Sequence, residues 1–132
     1  MSSHYHAVIW IDHHEARIVY FNLDDAEERR VRPAHPPRHL HGKAGSPSGT
    51  HEQADDSYLG EVTAALVDAK EFLLTGPSSA KAELVKYFHR RAPQAMARLA
   101  GIETLDKVTD NELLAEARRY FKAADRLRPQ LG

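Results

Sequence analysis

A positively charged segment between Arg29 and Thr50 is the part of the sequence best suited to binding chemistry. It contains no aspartate, no glutamate and no aromatic residue, although the chain as a whole is nearly neutral. Guanidinium and ammonium groups contact RNA phosphates, whereas stacking on bases needs aromatic side chains. The segment therefore predicts contacts to an RNA backbone, unless the acidic stretch at 24–28 folds back and neutralises it. The predicted RNA-binding residues in this segment are Arg29, Arg30, Arg32, Arg38, His39, His41 and Lys43.

Histidines in the same segment offer a second chemistry, that of a metal site. His35, His39 and His41 could supply imidazole ligands, which suit zinc, copper or nickel. A structural zinc ion normally has four ligands, and the chain has no cysteine to complete such a set. A metal-dependent or hydrolytic enzyme that uses Asp12 with these histidines stays open as an alternative. Our own expectation is that the protein holds no metal and no other cofactor.

The carboxylates are poorly placed for a nuclease that works with two metal ions. Such an enzyme needs clustered acids that hold two cations about 4 Å apart. Asp12 ends the first predicted strand, and several acids between Glu52 and Glu61 lie on the first predicted helix. The fourth predicted strand ends in Leu-Thr-Gly-Pro at 74–77 and supplies no acid. Asp12 is therefore interpreted as a turn carboxylate.

The segment Gly76–Lys81 lies where a predicted strand ends and a predicted helix begins. Ligands of open α/β sheets bind at the carboxyl ends of strands, and helix N-termini attract anions. Lys81 lies in the first helical turn, where a positive charge is unfavourable against the helix dipole unless an anion is nearby. It is therefore a secondary candidate for RNA binding. The alternative is a plain strand-to-helix turn with a serine cap. The histidines outside the basic segment that we interpret as surface residues are His4, His6, His13 and His14.

Composition places the chain among ordinary globular domains. Its 132 residues carry 18 Lys and Arg against 19 Asp and Glu, and 42% are hydrophobic. No apolar run approaches the roughly 20 residues of a membrane span, and no signal-peptide pattern opens the sequence. We therefore expect a single domain over residues 1–132 that works in the cytoplasm without membrane contact.

The apolar patterns predict the elements that position these residues. Period-two and continuous apolar runs indicate five strands, and two Thr-x-x-Glu/Gln capping boxes indicate where helices begin. The expected strands are His6–Asp12, Ala16–Asn22, Glu27–Arg32, Phe72–Thr75 and Ile102–Leu105. The expected helices begin at Thr50, after Ser79 and at Thr109, and Pro93 ends or restarts the middle one.

The predicted fold class is α/β. Four prolines and three glycines between Pro33 and Gly49 predict an irregular and mobile loop. Because strand–helix–strand crossovers give parallel neighbours, the other elements predict a five-stranded mixed sheet in the order 3-2-1-4-5. Helices would cover both faces of this sheet, which is the ribonuclease-H-like topology.

Two stretches carry a resemblance to a known family. Ala7–Phe21 resembles the opening hairpin of the middle domain of archaeo-eukaryotic peptide-chain release factors and their Pelota relatives: an apolar strand, an acid, a short turn, then alanine and a second apolar strand. Phe72–Phe88 resembles the family's strand, Gly-Pro turn, lysine and amphipathic helix. The chain is similar in particular to small bacterial stand-alone relatives known as translational machinery proteins. The resemblance implies the middle-domain fold and an association with the ribosome or with tRNA.

The chain departs from release factors at the residues that release the peptide. Those proteins carry Gly-Gly-Gln before their first long helix, and its glutamine promotes hydrolysis of peptidyl-tRNA. The corresponding region here, Lys43–Gln53, lacks that tripeptide, and Gln53 falls inside the predicted helix. The resemblance therefore implies a non-catalytic module of translation termination or ribosome rescue. A further alternative is a protein-interaction module that forms a homodimer through an exposed sheet edge.

Overall fold

The computed structural model describes residues 6–34, 38–41 and 50–127, with side chains at all of these except 38–41, 50–53 and 125–127. Strands and helices alternate after an initial run of strands. The strands are β1 (His6–Ile11), β2 (Ala16–Phe21), β3 (Ala26–Val31), β4 (Arg38–His41), β5 (Thr50–Gln53), β6 (Glu71–Gly76) and β7 (Leu99–Thr104). The helices are α1 (Asp56–Ala65), α2 (Ala80–Arg91), α3 (Pro93–Met96) and α4 (Asp110–Leu127).

Five strands form one mixed sheet in the order β3-β2-β1-β6-β7. β1 pairs antiparallel with β2, and β2 pairs antiparallel with β3, whereas β1–β6 and β6–β7 are parallel. When β4 and β5 are set aside, this is the predicted order 3-2-1-4-5, so the fold-class prediction is confirmed. β1, β3, β6 and β7 all end at the same edge of the sheet, which we call the carboxyl edge.

Helices cover both faces of the sheet because the central strands are apolar on both sides. Ala7, Ile9 and Ile11 of β1 pack into a core under α1, α2 and α3. Val8 and Trp10, on the opposite face of the same strand, pack into a second core under α4. The alternation of side chains along a strand thus divides one continuous apolar run between two cores. Within the described residues, no helix combines the length and the apolar character needed to cross a bilayer.

The helix predicted at Thr50 is wrong, because Thr50–Gln53 is a strand. β5 pairs antiparallel with β4 in a separate two-stranded sheet, which we call the β4–β5 ribbon. The first helix begins instead at Asp56, where the Asp55 side chain accepts a hydrogen bond from the Tyr58 amide as an N-cap. Backbone pairing with β4 outweighs the capping-box pattern, which is only four residues long.

The predicted absence of regular structure between Pro33 and Gly49 is also wrong, since β4 lies inside this stretch. Prolines bar ladder hydrogen bonds only at their own positions. The sequence between Pro37 and Pro47 contains no other proline, and it is long enough for a four-residue strand. The mobility predicted for residues 33–49 stays a prediction, and most of these residues lie outside the described ones.

Other predicted boundaries hold more closely. Thr109 and Glu112 form the reciprocal capping box of α4: the Thr109 amide donates to Glu112 Oε1 and the Glu112 amide donates to Thr109 Oγ1. Pro93 separates α2 from the short α3, as predicted. β7 begins three residues earlier than predicted, because Leu99 and Gly101 already pair with β6.

Candidate functional site

The carboxyl edge gathers most of the side chains that could do chemistry. The β1–β2 turn at 12–15, the end of β3, and the N-termini of α1, α2 and α4 all lie there. The chain also enters and leaves the β4–β5 ribbon at this edge, after Val31 and before Ala54. Open α/β sheets bind ligands at this edge because loops and helix N-termini converge on it.

A cleft with a volume of about 640 Å³ opens at the carboxyl edge on the side of α4. It lies between the β1–β2 turn, the end of β3 and the first turn of α4. Four cationic side chains and three carboxylates line it, which leaves one net positive charge. We call it the arginine cleft, and its lining residues are Glu15, Arg17, Arg30, Arg32, Lys107, Val108, Thr109, Asp110 and Glu112.

Sheet register places Arg17 and Arg30 side by side in this cleft. Trp10 of β1 lies opposite Arg17 of β2, and Arg17 lies opposite Arg30 of β3, so the three form one row across the sheet. The Arg17 guanidinium stacks on the Trp10 ring at 4.8 Å from its centroid. The Trp10 Nε1–H donates to the Leu105 carbonyl oxygen at 3.0 Å, which fixes the ring beneath the arginine.

Two carboxylates hold the arginines together. Asp110 accepts from Arg17 Nη1 at 2.8 Å and from Arg30 Nη2 at 3.2 Å. Glu15 Oε1 lies 3.2 Å from Arg30 Nη1 and 3.7 Å from Arg32 Nη2. The carboxylates therefore offset the mutual repulsion of three neighbouring guanidinium groups.

The pKa values of the acids report this crowding. Burial raises the pKa of Asp110, but hydrogen bonds with Glu28 and Arg17 and the nearby arginine charges outweigh it, so the pKa lies below its ordinary value. For Glu28, the hydrogen bond with Asp110 and the charge of that carboxylate raise the pKa. The arginines thus favour the ionised form of Asp110, and the charge of Asp110 disfavours the ionisation of its neighbour Glu28.

The predicted RNA-binding residues are divided by this geometry. Arg30 and Arg32 line the arginine cleft, as described above. Arg29 lies on the opposite face of β3, over the Tyr20 ring and 4.0 Å from Glu27. Arg38, His39 and His41 lie on β4, where only the backbone is described, and Lys43 lies outside the described residues.

Lys81 is engaged by the protein itself. Its ammonium group donates to the carbonyl oxygen of Gly76 at 2.7 Å and to that of Ser78 at 3.3 Å. Burial lowers the pKa of Lys81. The segment Gly76–Lys81 is a strand-to-helix turn, although the expected serine cap is wrong: Ser79 occupies the N-cap position without a side-chain capping bond.

Asp12 behaves as the turn carboxylate that the sequence indicates. Its Oδ1 accepts the backbone N–H groups of His14 at 2.8 Å and Glu15 at 2.9 Å. Across the described part of the chain, no three His, Asp or Glu side chains group closely enough to hold a metal ion. His35, one of the histidines of the metal hypothesis, lies outside the described residues, as does His4.

The interpretation of His13 as a surface residue is wrong, because only 5% of it is exposed. Its Nε2 lies 2.7 Å from Glu83 Oε2 of α2, and Glu83 Oε1 accepts the Ala54 backbone N–H at 2.8 Å. Glu83 therefore ties the β1–β2 turn to the segment that follows the β4–β5 ribbon. His6 is half-buried and packs on Phe121, so it too is not a plain surface residue, whereas His14 is exposed.

Sequence reasoning missed Arg17, Lys107 and Asp110 as members of the cleft. For Arg17 a signal was present: it interrupts the apolar run Ala-Arg-Ile-Val-Tyr-Phe at 16–21. A charged residue inside a buried strand is rarely tolerated without partners. Lys107 and Asp110 carry no such signal, because only the tertiary fold brings the first turn of α4 to the end of β3.

Comparisons with known proteins give matches in structure alone. No protein-family model matches the chain, and no curated protein matches it in sequence. The crystal structure of Archaeoglobus fulgidus Pelota matches over 92% of this chain and 37% of its own, with 16% identity and a TM-score of 0.61. Thermoplasma acidophilum Pelota matches over 91% of this chain and 33% of its own, with 17% identity and a TM-score of 0.59.

A third structure extends the likeness to a eukaryote. Saccharomyces cerevisiae Dom34 matches over 93% of this chain and 34% of its own, with 9% identity and a TM-score of 0.57. Its structure is described as that of a translation termination-like factor involved in RNA quality control pathways and interacting with Hbs1. The chain thus has the fold of a Pelota domain, which confirms the fold implied by the resemblance. It spans about a third of the length of each of these three proteins.

Proposed function

We propose that this protein is a non-catalytic module that binds RNA on the ribosome or on tRNA, in translation termination or ribosome rescue in the cytoplasm. The observation that carries the proposal is the meeting of Arg30 and Arg32 with Arg17 and Lys107 in one cleft, on a Pelota-like fold. Dom34, which has the same fold, is described as a translation termination-like factor involved in RNA quality control.

Charge and exposure favour an RNA backbone as the ligand. Arg30 and Arg32 expose 48% and 70% of their side chains, so their unused donors can reach a ligand from solvent. A guanidinium group matches the geometry of phosphate oxygens and stays charged at all physiological pH values. The β4–β5 ribbon, with Arg38, His39 and His41, joins the sheet at the same edge and would extend this surface.

Ribosome co-sedimentation at low and high salt tests the proposal. The tagged chain should enter ribosomal fractions at low salt and leave them as salt rises. Each of Arg30→Ala and Arg32→Ala should weaken binding and reduce the slope of log affinity against log salt by about 0.7–0.9. Arg90→Ala is the matched control, since Arg90 is equally exposed but lies on α2 and pairs with Asp56. Binding that does not depend on salt, or that the control variant weakens equally, would contradict the proposal.

Peptide release is the activity that the module should lack. The chain has no Gly-Gly-Gln, and Gln53 lies on β5 rather than in a loop before a helix. We expect no hydrolysis of peptidyl-tRNA on a stop-codon complex. Release that is abolished by Gln53→Ala would refute this part of the proposal.

A further inference from the structure

Arg17 is a buried cation with unused hydrogen-bonding capacity. Only 4% of the residue is exposed, and its Nη1 is engaged with Asp110. Its Nε and Nη2 atoms donate no hydrogen bond to any group in the described part of the chain, and Glu15 Oε2 comes no closer to Nε than 3.8 Å. The N–H groups of a buried guanidinium normally donate hydrogen bonds, because a buried donor without an acceptor destabilises the fold. Arg17 is therefore paired in charge with Asp110, but two of its nitrogen atoms beneath the arginine cleft have no hydrogen-bond acceptor in the described part of the chain.

The open side of the cleft adds mobile cations to this fixed one. Arg30 and Arg32 reach a single atom, Glu15 Oε1, from two directions. An anionic oxygen is thus already held between two guanidinium groups. Lys107 is exposed on the far wall. These three side chains use only part of their donors within the described structure, and they face the same solvent-filled space.

The first turn of α4 contributes in the same direction. An 18-residue helix directs the positive end of its dipole at the cleft. Glu112 accepts a hydrogen bond from the Thr109 amide and, among the described residues, pairs with none of the arginines of the cleft. When its charge is counted with those of Glu15 and Asp110, the four cationic side chains leave one net positive charge.

We propose that the arginine cleft is a phosphate-binding site, in which Arg30, Arg32 and Lys107 contact one phosphate group. Arg17 is a positioning residue whose buried guanidinium group holds Asp110, which also accepts a hydrogen bond from Arg30. The geometry of the cleft implies a phosphate group as the ligand. That this phosphate belongs to RNA rests on the proposed function. The phosphate is either the terminal monoester of an RNA chain or a diester within it, and both present the oxygens that converging arginines recognise.

Titration of the full chain with inorganic phosphate and with pyrophosphate, at constant ionic strength set by chloride, tests the site directly. Trp10 is the only tryptophan and stacks on Arg17, so its fluorescence reports on the cleft. We expect saturable binding, and tighter binding of pyrophosphate. Arg32→Ala and Lys107→Ala, both at exposed positions, should each weaken binding roughly 5-fold or more. Arg32→Lys should restore part of the loss, and Arg90→Ala should change nothing.

A response that stays linear in phosphate, or equal affinity in Arg32→Ala, Lys107→Ala and Arg90→Ala, would overturn the site. Because Arg32 and Lys107 lie at the surface, their variants leave the buried Arg17 and the two cores intact. Circular dichroism melts of each variant confirm that the chain is folded during the titration.

RNA oligomers with a 5′-phosphate or a 5′-hydroxyl distinguish the two sources of phosphate. A preference for the 5′-phosphate that disappears in Arg32→Ala identifies a terminal monoester. Equal affinity for both oligomers, lowered in Arg32→Ala, identifies an internal diester. Ribosome co-sedimentation without saturable phosphate binding would refute the phosphate site but not the proposed function. Saturable phosphate binding without co-sedimentation would refute the proposed function but not the phosphate site.

Discussion

Replacing Glu83 by alanine should destabilise the protein, because this one carboxylate joins α2 to the β1–β2 turn and to the segment before α1. The Glu83 side chain is only 20% exposed, and it accepts the Ala54 N–H at 2.8 Å while lying 2.7 Å from His13 Nε2. Hydrogen bonds to a charged group contribute about 1.5–3 kcal/mol each. Because the Ala54 amide is partly exposed, water replaces part of the loss, and the lower end of that range applies to both contacts.

The two contacts together predict a loss of about 3 kcal/mol in the free energy of unfolding. For a domain of this size, 1 kcal/mol corresponds to about 3–5 °C in Tm, so Glu83→Ala should melt about 10 °C below the parent chain. Glu83→Gln keeps one acceptor oxygen and should lose about half as much. Hydrogen exchange of the Ala54 amide should accelerate in Glu83→Ala, since its acceptor is gone.

Thermal unfolding followed by circular dichroism measures these shifts, and Glu61→Gln is the matched control because Glu61 is exposed on α1. A Glu83→Ala chain that melts within about 2 °C of the parent would refute the reasoning. So would an Ala54 amide that exchanges no faster, because the bond to Glu83 would then contribute nothing at the base of the β4–β5 ribbon.

Three further predictions follow from single contacts. Gly76 has φ +154°, and a Cβ there would overlap the Ile11 carbonyl oxygen, so Gly76→Ala should cost about 3 kcal/mol or more in urea unfolding. Gly60→Ala on α1 is the comparison and should cost less, because its Cβ would meet the end of the Tyr87 side chain at 3.0 Å instead of a backbone oxygen. Because Asp110 raises the pKa of Glu28, folding disfavours the ionised form of the Glu28 carboxyl group. The resulting loss of stability is present at pH values above the pKa of Glu28 in the folded protein. Glu28→Gln should therefore raise Tm at pH 7, and the gain should vanish once the pH falls below the ordinary glutamate range near 4.3; a gain that persists at pH 3 would contradict the sign. Trp10, 1% exposed, should emit well to the blue of free tryptophan and resist acrylamide, and Trp10→Ala should cost about 3–5 kcal/mol.

The sheet could be predicted because its strands carry unambiguous local signals. His6–Ile11 and Glu71–Gly76 are apolar on both faces, and such runs belong in the centre of a sheet covered on both sides. β3 could be predicted as an edge strand because charged side chains are typical of edges. The crossover rules then allow few arrangements of five strands, and the observed order is one of them.

The β4–β5 ribbon could not be predicted, because its signal lies in pairing rather than in pattern. Thr50-His-Glu-Gln53 meets the spacing of a capping box, and nothing within those four residues indicates that they pair with Arg38–His41. A capping box contributes only when a helix follows at once, and here the N-cap at Asp55 competes for the same helix. The local capping-box pattern therefore predicts a helix that begins too early, whereas backbone pairing with β4 makes these residues a strand.

The basic segment directed attention to the correct strand but to only part of the site. Arg29, Arg30 and Arg32 are adjacent in sequence, yet strand alternation sends Arg29 to the face of Tyr20 and Arg30 to the face of Arg17. A count of charges along the chain contains no information on that division. The partners of Arg30 come from the β1–β2 turn and from α4, which are 15 and 80 residues away in sequence.

Stability alone does not explain the burial of Arg17, whereas the proposed phosphate site would give it a role. A buried ion pair is seldom more stable than apolar residues of the same volume, because the cost of removing both charges from water offsets their attraction. Val19, which lies on the same face of β2 as Arg17, is a buried aliphatic residue of the core under α4. An aliphatic residue at position 17 would avoid the burial of two guanidinium nitrogen atoms that have no hydrogen-bond acceptor. An aliphatic residue could not donate to Asp110, which also accepts from Arg30, and in the proposed phosphate site this contact positions the Arg30 guanidinium group.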